Sequence, residues 1–135
     1  MHKGFIKTAA ILGALSVAIG AFAAHRLRGS ISDSALEIFE TAVRYQFYHV
    51  FALLAAGILY KEFPNKLLWW SGRLFIAGII LFSGSLYLLT AIKATETPGY
   101  DWVGAITPLG GLCFILGWIF IFLGCNQKSK QIIES

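Results

Sequence analysis

Four stretches of this chain contain no Asp, Glu, Lys or Arg: residues 8–24, 45–60, 74–92 and 102–127, of 17, 16, 19 and 26 residues. A helix needs roughly 17–25 apolar residues to cross about 30 Å of hydrocarbon. Lipid offers no partner to a bare backbone amide, so helices are the natural way for such runs to cross it. Composition points the same way. Charged residues make up 13% of the chain and hydrophobic ones 57%, whereas a soluble domain carries about 25% charged residues. Disordered chains are poor in apolar residues and are excluded by the same figures. The expected fold is all-α: an integral membrane four-helix bundle with short loops. It forms one domain over residues 1–135, with spans at about 8–25, 42–60, 71–92 and 106–125.

Local signals refine the ends. Ser34-Ala-Leu-Glu37 reads as a capping box, giving a second helix over 34–60 of about 40 Å. Its first two turns then lie in or beyond the headgroups. Thr107-Pro108 reads as a threonine cap followed by proline at the first helical position. The fourth helix then runs from Pro108 to about Cys125, and 99–106 forms an interfacial or slightly re-entrant loop. Lys3, Lys7 and Ala21-Phe-Ala23 resemble a signal peptide, but the apolar run exceeds the usual 7–15 residues, and it is read as a retained span. Cys113 and Cys125 lie about 18 Å apart along one helix, too far for a disulfide. No CxxC or zinc spacing occurs.

Four spans put both termini on one face, the near face. It carries Lys3, Lys7, Lys61, Lys66, Arg73, Lys128 and Lys130; the far face carries Arg26, Arg28, Arg44 and Lys93. The positive-inside rule places the near face, with both termini, in the cytoplasm. Tyr60, Trp69 and Trp70 suit the near interface, and Tyr100 and Trp102 the far one. Residues 127–135 read as a polar, frayed tail. The scattered basic residues fit topology, so nucleic acid is not an expected partner.

Small residues set the packing. Gly13, Ser16, Gly20 and Ala24 share one face of the first span, and Gly110, Gly117 and Gly124 repeat every seven residues in the fourth. Such seams join helices within a bundle or between copies; the bundle is the expected use.

Polar residues gather in the far half: His25; Arg44, Tyr45, Gln46, Tyr48 and His49; Ser83, Ser85, Tyr87 and Thr90; Thr107. The near half has Thr8, Ser71 and the anchoring Arg73 and little else, and 53–59 and 114–124 are read as free of polar side chains, so the bundle is dry there and a continuous pore is not expected. Glu37, Thr41, Arg44 and Tyr48 form one stripe, and Glu40 is spaced to pair with Arg44. The candidate ligand-binding or structural cluster is His25, Arg44, Tyr45, Gln46, His49, Ser83, Ser85, Tyr87 and Thr107. Such groups either plug the bundle with hydrogen bonds or line a pocket open to the far face. The plug is favoured, because Arg44 and His25 lie within snorkelling reach of the interface. His25 and His49 invite a metal or haem reading, but two ligands offset in depth are too few. No cofactor, metal site or catalytic set is expected.

Four motifs now stand in order: Gly20-Ala-Phe-Ala-Ala-His25-Arg-Leu27, Thr41-Ala-Val-Arg44-Tyr45-Gln46-Phe-Tyr-His49, Phe82-Ser83-Gly84-Ser85-Leu86-Tyr87 and Ile106-Thr107-Pro108-Leu-Gly110-Gly111, with Gly117-Trp118 after them. Together they resemble the small inner-membrane protein family of the YgdD and YwdK type, a family of unknown function. Ala23 departs from the glycine usual there, and is still small. The resemblance implies a four-span protein of the bacterial plasma membrane and brings no activity, cofactor or substrate. The expected role is a non-enzymatic accessory or structural membrane protein. Its partners would be membrane lipids and a membrane protein or second copy of itself. The alternative is an outward-facing module that binds or transports a small molecule or lipid.

Overall fold

The computed structural model describes residues 1–127. Residues 128–135, with Lys128, Lys130 and most of the expected polar tail, lie outside the described residues. Four helices form: α1 (Lys3–Leu27), α2 (Asp33–Leu59), α3 (Lys66–Ala94) and α4 (Thr107–Asn126), each long and apolar enough to cross a membrane. No strand occurs among the described residues. The all-helical four-helix architecture expected from the charge-free runs is the one observed.

Two helices contain wide turns. α1 ends in a π-helical turn, Ala23–Leu27, and α3 is interrupted by another, Ile79–Ser83. A π turn inserts one residue and rotates the following face. In α1 Ala23, where the turn begins, lies three residues after Gly20 on the α2-facing side, 3% exposed, and Ala24 is exposed. The expected small-residue face therefore continues through Ala23 instead of Ala24. The loops after α1 and α3 turn at Gly29 and Gly99, whose φ angles of +83° and +90° suit glycine.

The caps differ in detail from expectation. Ser32 caps α2, accepting from the Ala35 amide at 3.2 Å. Ser34 already lies inside the first turn, so the capping box centred on it does not form. α4 starts at Thr107, with Pro108 tolerated near its N-terminus where no helical amide partner is needed. The Thr107 side chain does not cap. Instead of a plain loop, a 3-10 helix spans Asp101–Ala105 and buries Val103 completely.

α2 and α3 bury most; α1 packs chiefly on α2, and α4 on α3. The core includes Phe5, Ala9, Val50, Leu53, Ala56, Phe75, Ile79 and Phe114. Outward, Ile11, Leu15, Phe51, Ile80, Leu88, Leu112, Ile115 and Phe122 are exposed. A water-soluble fold of this size would not leave so broad an apolar exterior bare; lipid tails satisfy it.

The α3–α4 seam is built from the seven-residue glycine repeat. Leu68, Phe75 and Phe82 descend one helix as Gly124, Gly117 and Gly110 ascend the other, each large side chain or its backbone seated on a glycine. A Cβ on Gly117 would lie 2.6 Å from the Phe75 ring. Gly72 and Gly78 of α3 in turn accept the rings of Phe5 and Phe114. The repeat is thus occupied within the bundle.

Candidate functional site

The intramembrane polar side chains join helix to helix. Gln46 of α2 donates through Nε2 to the Leu12 carbonyl of α1 at 3.3 Å and accepts at Oε1 from the Tyr87 hydroxyl of α3 at 2.6 Å. One amide thereby links three helices. The Ser16 hydroxyl also donates to the Leu12 carbonyl, at 2.7 Å. Ser83, in the wide turn of α3, donates to the Ala42 carbonyl of α2 at 2.7 Å. Ser85 donates to its own helix at Phe82 O, 2.9 Å away, and lies 2.6 Å from the Thr107 hydroxyl of α4. A serine hydroxyl has one proton, so Thr107 is the donor in that pair.

His49 sits deepest. Its Nδ1 lies 2.7 Å from the Tyr45 carbonyl, and its Nε2 lies 3.1 Å from the Trp118 indole nitrogen. An indole N–H can only donate. Nε2 is therefore the acceptor, and Nδ1 carries the proton that the Tyr45 carbonyl accepts. The ring stacks on Phe114, with centroids 3.5 Å apart and planes at 7°. Both nitrogens and one face are thus occupied by the protein.

Six of the nine cluster residues, Gln46, His49, Ser83, Ser85, Tyr87 and Thr107, enter this network. The side chains of the other three do not. Tyr45, Arg44 and His25 are exposed. Tyr45 contacts Phe82 with the rings tilted at 38° and centroids 4.7 Å apart. Arg44 borders a shallow groove of about 350 Å³ between α1 and α2, with Gly20, Ala23, Glu40 and Phe47. His25 lies in the terminal turn of α1, so the two histidines sit in unlike settings. Among the described residues no three His, Cys, Asp or Glu side chains gather as metal ligands. Cys113 and Cys125 are free thiols. Glu40 pairs with Arg28 across the α1–α2 loop, at 3.3 Å, instead of with Arg44 as its spacing suggested.

Sequence reasoning placed Ser71 in the near half but missed Trp118 and Asn65. Trp118 lies within 114–124, the stretch read as free of polar side chains; its indole N–H corrects that reading. Ser71, fully buried, donates to the Gly117 carbonyl at 2.9 Å, and Asn65 donates to the Gly124 carbonyl at 3.0 Å. Both acceptors belong to the glycine seam. Lacking a Cβ, these residues let α3 come close enough for its side chains to reach their carbonyls. The seven-residue repeat was the available signal. Among the described residues no buried side-chain nitrogen or oxygen is left without a partner.

Fold and network together define a multi-pass helical membrane protein whose buried polar groups fasten its helices. The family model "Protein of unknown function (DUF423)" matches residues 19–111, a window holding all nine cluster residues. The UPF0382 membrane protein of Staphylococcus aureus (strain bovine RF122 / ET3-1) is 44% identical over 123 residues, covering 90% of this chain and 93% of that one. The UPF0382 membrane protein YwdK of Bacillus subtilis (strain 168) is 42% identical over 120 residues, covering 88% and 93%. A Staphylococcus haemolyticus relative is 39% identical over 121 residues, covering 90% and 93%. The chain belongs to this family of membrane proteins, as its motifs led one to expect. No solved structure matches it.

Proposed function

We propose that this protein is a non-enzymatic structural or accessory module of the bacterial inner membrane, acting through its outer surface. The observation that carries this reading is the closed hydrogen-bond network. Gln46, His49, Ser83, Ser85, Tyr87 and Thr107 direct their polar atoms at neighbouring helices, and buried unpaired groups, the usual mark of a site awaiting ligand, are lacking among the described residues. A rigid, self-satisfied interior leaves lipid and a membrane-protein partner, or a second copy, as what the surface meets. Both termini are assigned to the cytoplasm, since Lys3, Lys7, Lys61, Lys66 and Arg73 outnumber the far-face Arg26, Arg28, Arg44 and Lys93 even within 1–127.

The test is crosslinking in native membranes at endogenous expression, followed by purification and mass spectrometry. A reproducible membrane-protein adduct, or a homo-oligomer, is the expected result. Recovery of free monomer alone overturns the accessory reading. Reporter fusions at each terminus check orientation: cytoplasmic signals at both ends are expected, and a signal from the opposite compartment at either end refutes the assignment.

A further inference from the structure

α1 leans on α2, and a cleft of about 430 Å³ stays open between α1 and α3 at the near end. His2, Phe5 and Thr8 line one wall, and Arg73, Ala77 and Ile80 the other. We propose that this cleft binds one anionic phospholipid, its phosphate held by Arg73 and His2 and an acyl chain lying along Ala77 and Ile80.

The polar end is preorganised for phosphate. The Arg73 guanidinium lies over the Trp69 ring, 4.1 Å from its centroid, which orients the group and leaves its N–H donors free. Among the described residues Arg28–Glu40 is the sole ion pair, so Arg73 has no carboxylate to satisfy it. His2 accepts the Phe5 amide at Nδ1, 3.2 Å away; its proton is therefore on Nε2, an uncommitted donor. Stacking on Phe5 at 3.8 Å and an edge contact with Tyr60 at 5.5 Å hold that ring in place. The Thr8 hydroxyl adds a third donor.

The apolar end continues towards the membrane centre. Ile80 lies about 10 Å beyond Arg73 along α3, so a phosphate at Arg73 puts the attached chain beside Ala77 and Ile80. α3 has 29 residues, about 43 Å, longer than the hydrocarbon layer; Arg73 thus sits within snorkelling reach of the headgroups. Charge selects the anionic lipid. Lys3, Lys7, Lys61, Lys66 and Arg73 surround this end against Glu62, whereas Asp33, Glu37, Glu40, Glu96 and Asp101 crowd the other. Basic clefts between helices are known headgroup sites. The inference does not depend on which face is cytoplasmic, nor on the accessory reading.

The experiment is native mass spectrometry of the full chain released from nanodiscs of mixed phosphatidylcholine and phosphatidylglycerol. Preferential retention of one phosphatidylglycerol is expected. Arg73→Gln should lower that retention about five-fold, the loss of roughly one interfacial cation. Arg73→Lys should largely keep it, Lys93→Gln at the far face should leave it unchanged, and Ala77→Trp should lower it by filling the chain groove. Equal retention of the two lipids by the unaltered protein overturns the proposal, as does an equal loss in Lys93→Gln and Arg73→Gln. Undiminished retention in Ala77→Trp refutes the acyl groove. Displacement of the lipid by soluble glycerol phosphate marks a free-phosphate site and overturns the lipid assignment.

Discussion

The Trp118 indole nitrogen lies 3.1 Å from His49 Nε2, and this contact binds α4 to α2. Trp118 sits one turn beyond Phe114, whose ring stacks on the same imidazole at 3.5 Å. Two aromatic side chains on one face of α4 thus clamp a single histidine, one by its face and one by its edge. The Tyr45 carbonyl takes the remaining nitrogen.

Trp118→Phe keeps most of the apolar area and removes the donor. The cost is one interhelical hydrogen bond, about 0.6 kcal/mol on average in membranes and up to about 1.7. His49→Phe should cost more, because it also disturbs the stack on Phe114. A double-mutant cycle with both changes, read by denaturant unfolding in bicelles, should return a coupling of about 1 kcal/mol. Strictly additive losses contradict the direct bond.

Gln46 joins three helices, and its two ends make separable predictions. Tyr87→Phe deletes the donor to Oε1 and should cost about 0.5–1.5 kcal/mol. Gln46→Leu loses both contacts and leaves the Tyr87 hydroxyl half-buried without its acceptor, so it should cost about 1–3 kcal/mol. Tyr87→Phe placed on Gln46→Leu should then recover part of the loss. A second change that destabilises further rules out the Gln46–Tyr87 bond.

Which of these features the sequence showed depended on whether they were local. The charge-free runs dictate four helices because lipid imposes that length, and the glycine repeat marks a seam because only small residues recur there. The partners of those glycines were hidden: Leu68, Phe75 and Phe82 stand in a helix that is apolar almost throughout. Gln46 and His49 were visible as costly residues at membrane depth, but their partners are the carbonyl of Leu12, which accepts from Gln46, and the indole of Trp118, which donates to His49, and no polarity pattern marks either. Trp118 passed as apolar because its single N–H is outweighed by its rings. Ser32 and Ser34 have equal capping propensity, and the extended backbone at Ser32, with helix from Asp33, decides between them. Glu40 is spaced for Arg44, yet the α1–α2 loop brings Arg28 closer.

The Arg28–Glu40 pair is exposed, with side chains 67% and 40% accessible. Such pairs contribute about 0.2–1 kcal/mol and weaken with salt. Glu40→Gln should therefore change unfolding stability by less than about 1 kcal/mol, and the difference should fade at high ionic strength. A large, salt-independent loss assigns Glu40 a role beyond this contact.

The glycine seam yields an order of sensitivities, measured as unfolding free energy across an alanine series. Alanine in place of glycine favours a helix by about 0.8–1.0 kcal/mol, so a position with free space should gain. A Cβ on Gly84 meets nothing within 4 Å, and one on Gly111 comes no closer than 3.9 Å to Phe82; both substitutions should be neutral or stabilising. A Cβ on Gly124 would fall on the tip of Leu68, a flexible side chain that can move aside, so a small loss is expected. On Gly117 it meets the fully buried Phe75 ring, with little room to yield. On Gly110 it falls on the backbone nitrogen of Phe82, and only a displacement of α4 from α3 relieves it. That displacement would also stretch the Ser85–Thr107 bond one turn away. Overpacking of this kind costs about 1–3 kcal/mol, so Gly110→Ala should be the most damaging, followed by Gly117→Ala and then Gly124→Ala. If Gly110→Ala proves as harmless as Gly111→Ala, the two helices do not approach each other along this face.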